Sequence, residues 1–190
     1  MKKLLTTMTI FSSLLLLPGN RGAVAEPTVK VPVSSSTEVS SSNKGLRSMG
    51  FFNIAISTPD INASVDWYQR VLGFRKVSQS NLSNGVSIAM IERNGMVIEF
   101  LKVPNQKPMP MLNQDPPKHL QFLGIKNFVL WVDDMDATVR ELKSKNVSFV
   151  WEARTLPEVG TRVSMIRDNN GNLVTFWERR GSVWQSLNRP

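Results

Sequence analysis

The chain has 190 residues, 41% of them hydrophobic, which is enough for one domain with a real core or for one built from two small halves. It has no cysteine, and this excludes disulfides, thiolate ligands and a Cys/His nucleophile. The formal charge of +8 includes Lys2, Lys3 and Arg21 of a leader described next; the other basic residues are scattered and not interleaved with aromatics, so no nucleic-acid partner is expected.

Residues 1–25 read as a secretory signal peptide. Lys2 and Lys3 form a charged start, residues 4–17 an apolar run broken only by Thr and Ser, and Ala23-Val24-Ala25 a small-residue cleavage site before Glu26. The run is short for a membrane span. The protein is therefore expected to be periplasmic or secreted, with no membrane association beyond the signal peptide. Residues 26–48 are rich in Ser, Thr, Val and Pro without sustained periodicity, as in a flexible tether.

A domain is predicted over 49–180, as module one (49–103), a linker (104–123) and module two (124–180). In module one, 51–57 reads as a strand and Thr58-Pro59-Asp60 as a turn with Asp60 as N-cap. Ile61, Val65, Tyr68 and Leu72 then recur at helical spacing, and Gly73 closes the helix. Strands are predicted at 74–81, 86–91 and 96–103, the last two joined around Asn94-Gly95, a hairpin signal. The linker carries five prolines and the single histidine, His119, which reads as a surface residue. Module two repeats the order, with a strand at 125–132, a helix at 135–145 and strands at 147–154, 161–167 and 172–178. The basic tail 181–190 carries Trp184 and has no assigned conformation.

The repeat is explicit in the residues. With a shift of 74 positions Asn53 falls on Asn127, Asp60 on Asp134, Val65 on Val139 and Tyr68 on Leu142. After a slip of two further residues, Asn94-Gly95 falls on Asn170-Gly171 and Glu99 on Thr175. The chain is a duplicated strand–helix–three-strand unit.

Three stretches carry a resemblance: DINASVDWYQRVLGF (60–74), VDDMDATVREL (132–142) and RDNNGNLVTF (167–176). Together they resemble the vicinal oxygen chelate superfamily, the glyoxalase, bleomycin resistance protein and dioxygenase family. The resemblance implies an α+β fold of two tandem βαβββ modules whose mixed sheets form a cupped, half-open barrel with helices outside. In metal-dependent members each module supplies ligands from its first and last strands. Those positions here are Asn53, Glu99, Asn127 and Thr175, and only Glu99 is a strong ligand. One carboxylate with two neutral amides falls short of what a catalytic Zn, Ni, Mn or Fe site requires. No metal or other cofactor is expected; a divalent metal belongs only to the alternative reading below.

Strand alternation puts Asn53, Ala55 and Ser57 on one face with Val97, Glu99 and Leu101, and Asn127, Val129 and Trp131 with Leu173, Thr175 and Trp177. The opposite face (Ile54, Ile56, Phe128, Leu130, Val132) is apolar and should bury against the helices. The expected ligand set is Asn53, Glu99, Asn127 and Thr175 for hydrogen bonds and Trp131 and Trp177 for stacking. Arg162 is expected at the rim if the β-hairpin register turns it inward. Glu99 is also the candidate general base if the domain is a metal-free lyase or isomerase.

The favoured function is metal-independent binding of a small aromatic or cationic molecule between the two modules. The alternatives are a glyoxalase- or dioxygenase-like metal-dependent lyase or oxygenase, and a protein-interaction module without a small ligand. The modules can pair within one chain or between the two chains of a homodimer.

Overall fold

The computed structural model describes residues 49–108 and 116–188. The predicted signal peptide, the tether and residues 109–115 of the linker lie outside the described residues. Module one forms β1 (Asn53–Ser57), α1 (Ile61–Leu72), β2 (Arg75–Asn81), β3 (Ser87–Arg93) and β4 (Met96–Lys102). Module two forms β5 (Phe128–Val132), α2 (Met135–Ser144), β6 (Phe149–Leu156), β7 (Thr161–Arg167) and β8 (Leu173–Glu178). A helix, α3 (Gly181–Leu187), follows.

The duplication is visible in the strand order. One sheet runs β1-β4-β3-β2 and the other β5-β8-β7-β6. In each, the first strand pairs parallel with the last, and the remaining pairs are antiparallel. The fold is thus α+β with two tandem βαβββ modules. The sheets stay separate as two cupped four-stranded sheets and do not close into a barrel.

Local chemistry repeats with the sequence. Asp60 Oδ1 accepts from the Ala63 amide at 3.0 Å, and 74 residues later Asp134 Oδ1 accepts from the Ala137 amide at 2.9 Å. Each carboxylate satisfies an orphan donor of the first helical turn. Gly73 ends α1 at φ 69°, a left-handed conformation that costs glycine little. The β3–β4 turn has both Asn94 (φ 52°) and Gly95 (φ 81°) in that region, as a two-residue hairpin requires.

Both helices cover the apolar faces of their sheets, and their buried residues belong to one core. Ile61, Val65, Tyr68 and Leu72 of α1 and Met135, Val139 and Leu142 of α2 join Ile98, Phe100, Val174 and Phe176. Ile56, Phe128, Leu130 and Val132 pack on this core, as the alternation predicts. Tyr68 ties the modules together. It is fully buried, stacks on Phe128 of β5 (centroids 6.3 Å) and donates to Asp168 Oδ2 at 2.9 Å. Ser64 of α1 also accepts from Asn170 Nδ2 at 2.8 Å.

Two expectations are corrected, and the tail, left open by the sequence, acquires a conformation. His119 is not a surface residue: it is buried, in a 3-10 turn at Lys118–Gln121. The first strand of module two starts at Phe128, not at 125; Gly124 has φ 116°, which is not strand backbone, and Lys126 Nζ donates to the Phe122 carbonyl. The tail is ordered as α3, because Trp184 packs edge-on against Trp131 with centroids 5.2 Å apart. Among the described residues no helix is long and apolar enough to cross a membrane.

Candidate functional site

The sheet faces away from the helices carry the predicted polar residues, and the structure joins them in pairs. Asn53 Nδ2 donates to Glu99 Oε2 at 3.1 Å. Asn127 Nδ2 donates to Thr175 Oγ1. Backbone pairing explains both. Asn53 lies opposite Val97 and Ala55 opposite Glu99 in the parallel β1–β4 ladder, so the Asn53 side chain meets the carboxylate on the same face. In module two Val129 lies opposite Thr175, and Asn127 stands one step before β5, on the face of Val129.

The centre of each face is closed and its outer strand is open. Glu99 is buried, as is Met90, its partner on β3. Thr175 and its β7 partner Met165 are buried in the same way. On the outer strands Ala55 and Ser57 are exposed, and Val129 is 50% exposed. A ligand approaching over β1 or β5 therefore meets small or apolar side chains first, with one polar pair behind them in each module.

The tryptophans form a cluster of their own. Trp131 and Trp177 lie opposite each other in the β5–β8 ladder, with centroids 6.2 Å apart and ring planes at 87°. Trp184 of α3 adds a third ring, and the Arg179 guanidinium lies 5.5 Å from the Trp184 centroid. Arg179 is itself paired with Asp133 at 2.8 Å. The structure brings the two predicted tryptophans together, and Trp131 already packs against the chain's own tail. Only the presence of Trp184 in a basic tail hinted at this.

Arg162 is removed from the ligand set. Val163 and Met165, its neighbours on β7, pair with Trp177 and Thr175, so Arg162 points to the other face. There it grips Asp136 of α2 with bonds of 2.9 and 2.5 Å. The hydrogen bond from Arg162 is the main reason that the Asp136 carboxyl is held below the usual range. Glu178 also faces α2, where its Oε1 accepts from the Met135 amide at 3.0 Å.

A separate cleft of about 650 Å³ opens on the helix side, between α1, the turn after α2 and the end of β7. None of the predicted ligand residues lines it.

A family model for the Glyoxalase/Bleomycin resistance protein/Dioxygenase superfamily matches residues 50–176. The chain belongs to this superfamily. Its fold is similar to that of a glyoxalase family protein from Enterococcus faecalis, with TM-score 0.58 and 14% identity over 68% of this chain and 97% of that one. It is also similar to a glyoxylase/bleomycin resistance protein/dioxygenase domain from a Frankia species, with TM-score 0.55 and 15% identity over 70% of this chain and 98% of that one. A mutant of glyoxalase I from Zea mays matches with TM-score 0.55 and 12% identity over 69% of this chain and 44% of that one. No curated protein matches the chain.

The donor set of this superfamily member does not fit a catalytic metal. Asn53 and Asn127 turn their N–H groups, not their oxygens, toward Glu99 and Thr175. Both amides are neutral, and among the four side chains only Glu99 is a carboxylate. Among the described residues no group of three or more His, Cys, Asp and Glu side chains is placed to hold a metal ion. The pairs can instead accept and donate hydrogen bonds, and Glu99 offers a negative charge to a cationic or hydrogen-bond-donating ligand.

Proposed function

We propose that this superfamily member is an exported protein that binds a small organic molecule without a metal ion, on the sheet faces that carry Glu99, Asn53, Asn127 and Thr175. The supporting observation is the Asn53–Glu99 hydrogen bond. It holds a carboxylate in a fixed position and spends on it the side chain that would otherwise be a ligand. A buried carboxylate beside Met90, with the Trp131–Trp177 pair in the other module, suits a ligand with a cationic group and a flat apolar body.

The test starts with metal content after purification without chelator or histidine tag. Stoichiometric, tightly held Zn, Ni, Mn or Fe overturns the metal-free reading. A panel of aromatic cations is then titrated and read through tryptophan fluorescence. Saturable quenching that Glu99→Gln removes supports the reading; quenching unchanged by that substitution sinks Glu99 as a site residue. Export is tested by the N-terminus of the protein recovered from cells, which should begin at Glu26.

A second reading concerns a partner. β1 and β5 are each one of the two edge strands of their sheets, and Phe51 (76% exposed), Ile125 (98%) and Val129 (50%) stand on or just before them. This apolar margin in both modules favours a homodimer in which one chain's β1 margin covers the other's β5 margin. Light scattering on the purified protein distinguishes dimer from monomer, and Ile125→Asp should shift a dimer toward monomer.

A further inference from the structure

The chain's own tail packs on one of the two tryptophans proposed for ligand stacking. The root of that tail is fixed to module two. The Arg179 amide donates to the Val132 carbonyl at 2.8 Å, and the Ser182 amide to the Val159 carbonyl at 3.0 Å. Between them Gly181 has φ 82° and lies so close to the β6–β7 turn that a Cβ there would overlap the Val159 and Gly160 carbonyl oxygens. Only glycine fits that approach.

Beyond its root the helix is lightly held. α3 has seven residues, no side-chain N-cap and no buried residue, and Leu187 is 68% exposed. A helix this short is not stable on its own. Its ring contact with the sheet is Trp184 against Trp131, with centroids 5.2 Å apart and planes at 68°. The tail also carries a cation beside its ring, because the Arg179 guanidinium lies 5.5 Å from the Trp184 centroid. A flat apolar ring with a positive charge beside it is the chemistry proposed for the ligand. The segment from Arg179 to Trp184 therefore offers Trp131 an internal copy of that chemistry. The fixed root makes the contact intramolecular, so it forms at high effective concentration. The contact itself is one edge-to-face pair, which favours the seated state by only about two- to tenfold.

We propose that α3 is a displaceable plug: Trp184 occupies the ligand's place on Trp131, and a planar cation must unseat it to bind. The proposal rests on the sheet-face reading of the Trp131–Trp177 pair. Apparent affinity is then the intrinsic affinity reduced to the fraction of chains with the plug out. Removing the ring removes the competitor and tightens binding. If Trp184 were a wall of the site, its removal would weaken binding, so the sign of the change separates the two roles.

The probe is N-methylquinolinium, a flat aromatic cation, titrated into the full-length chain by calorimetry. Trp184→Ala should bind it about two- to tenfold more tightly than wild type. Gly181→Ala keeps the indole but cannot keep the root seated, and should show the same gain. Both positions lie outside the apolar core. In wild type labelled with fluorotryptophan, saturating probe should move the Trp184 fluorine signal, assigned through Trp184→Phe, to the position that it takes in Trp131→Ala without probe. Unchanged or weaker binding by Trp184→Ala overturns the proposal, as does a Trp184 signal that stays in its seated position when the probe binds. Absence of binding by both wild type and Trp184→Ala is a different result: it sinks the sheet-face reading itself, and the plug with it.

Discussion

The two modules share a backbone plan and differ where it matters. Positions 74 apart hold the same roles in the caps, yet Tyr68 of α1 corresponds to Leu142 of α2. Leu142 only fills the shared apolar core, whereas Tyr68 also stacks on Phe128 and donates to Asp168 of the other module. On the sheet faces Glu99 corresponds to Thr175, so one polar pair is charged and the other neutral. The comparison teaches that duplication preserved the geometry while the halves divided the work. Module one supplies the charge and Tyr68; module two supplies the aromatic cluster and the acceptor for Tyr68.

The largest expected effect comes from breaking the link that Tyr68 makes between the modules. Tyr68→Ala should cost about 3–5 kcal/mol in urea unfolding, as truncation of a fully buried aromatic does. Leu142→Ala should cost about 2–5 kcal/mol. The polar part separates the two modules: Tyr68→Phe keeps the ring and removes one donor from the buried Asp168 carboxylate, for roughly 1–3 kcal/mol. A loss below about 0.5 kcal/mol would mean that this hydrogen bond does not hold the modules together. Burial, then the charge and hydrogen bonding of Asp168, push the Tyr68 phenol above its usual range. The folded value is raised, so its contribution is complete below the unfolded value of about 10 and declines as pH rises above it. Wild type should lose stability more steeply than Tyr68→Phe above about pH 10.

Next in size are changes on the sheet faces. For a ligand found in the cation panel, Glu99→Gln should weaken binding at least tenfold, about 1.4 kcal/mol, with Thr175→Val smaller. If both substitutions weaken binding equally, the charged and neutral pairs are not different in role. Asn53→His combined with Asn127→His should create divalent-metal affinity together with Glu99, and neither single change should do so. Affinity from Asn53→His alone would show that one module suffices. No affinity from the pair would show that the two faces do not converge on one site.

Much of this was legible because local signals and fold agree. The caps at Asp60 and Asp134, the Asn94-Gly95 turn and the alternation of β4 each depend on neighbours in sequence. The Asn53–Glu99 and Asn127–Thr175 pairs follow from the same alternation once the repeat is aligned. Arg162 was not legible. Its face depends on how many residues the β7–β8 connection absorbs, and that is fixed by Asp168, whose amide donates to the Asn172 carbonyl at 2.9 Å. Nor was α3, a seven-residue helix with no side-chain cap, whose order rests on Trp184 meeting Trp131 from far along the chain. The helix-side cleft was equally hidden, because Trp67, Lys145 and Arg167 come from three separate stretches.

The smallest effect is expected at the Arg162–Asp136 pair, and it bears on the same asymmetry. In module two this ion pair ties β7 to α2, with bonds of 2.9 and 2.5 Å. The hydrogen bond from Arg162 lowers the Asp136 carboxyl. A lowered folded value contributes stability above the unfolded value, about 3.9, and loses it as pH falls through the folded one. Asp136 is solvent-exposed, so screening leaves little of this near neutral pH. Asp136→Asn should leave the urea midpoint at pH 7 nearly unchanged and make the decline below about pH 4 shallower than in wild type. A large drop at pH 7 would mean that Arg162, left without its carboxylate, disturbs the buried Glu178 4.0 Å away. The cap that Glu178 provides to the Met135 amide would then be the real support of α2.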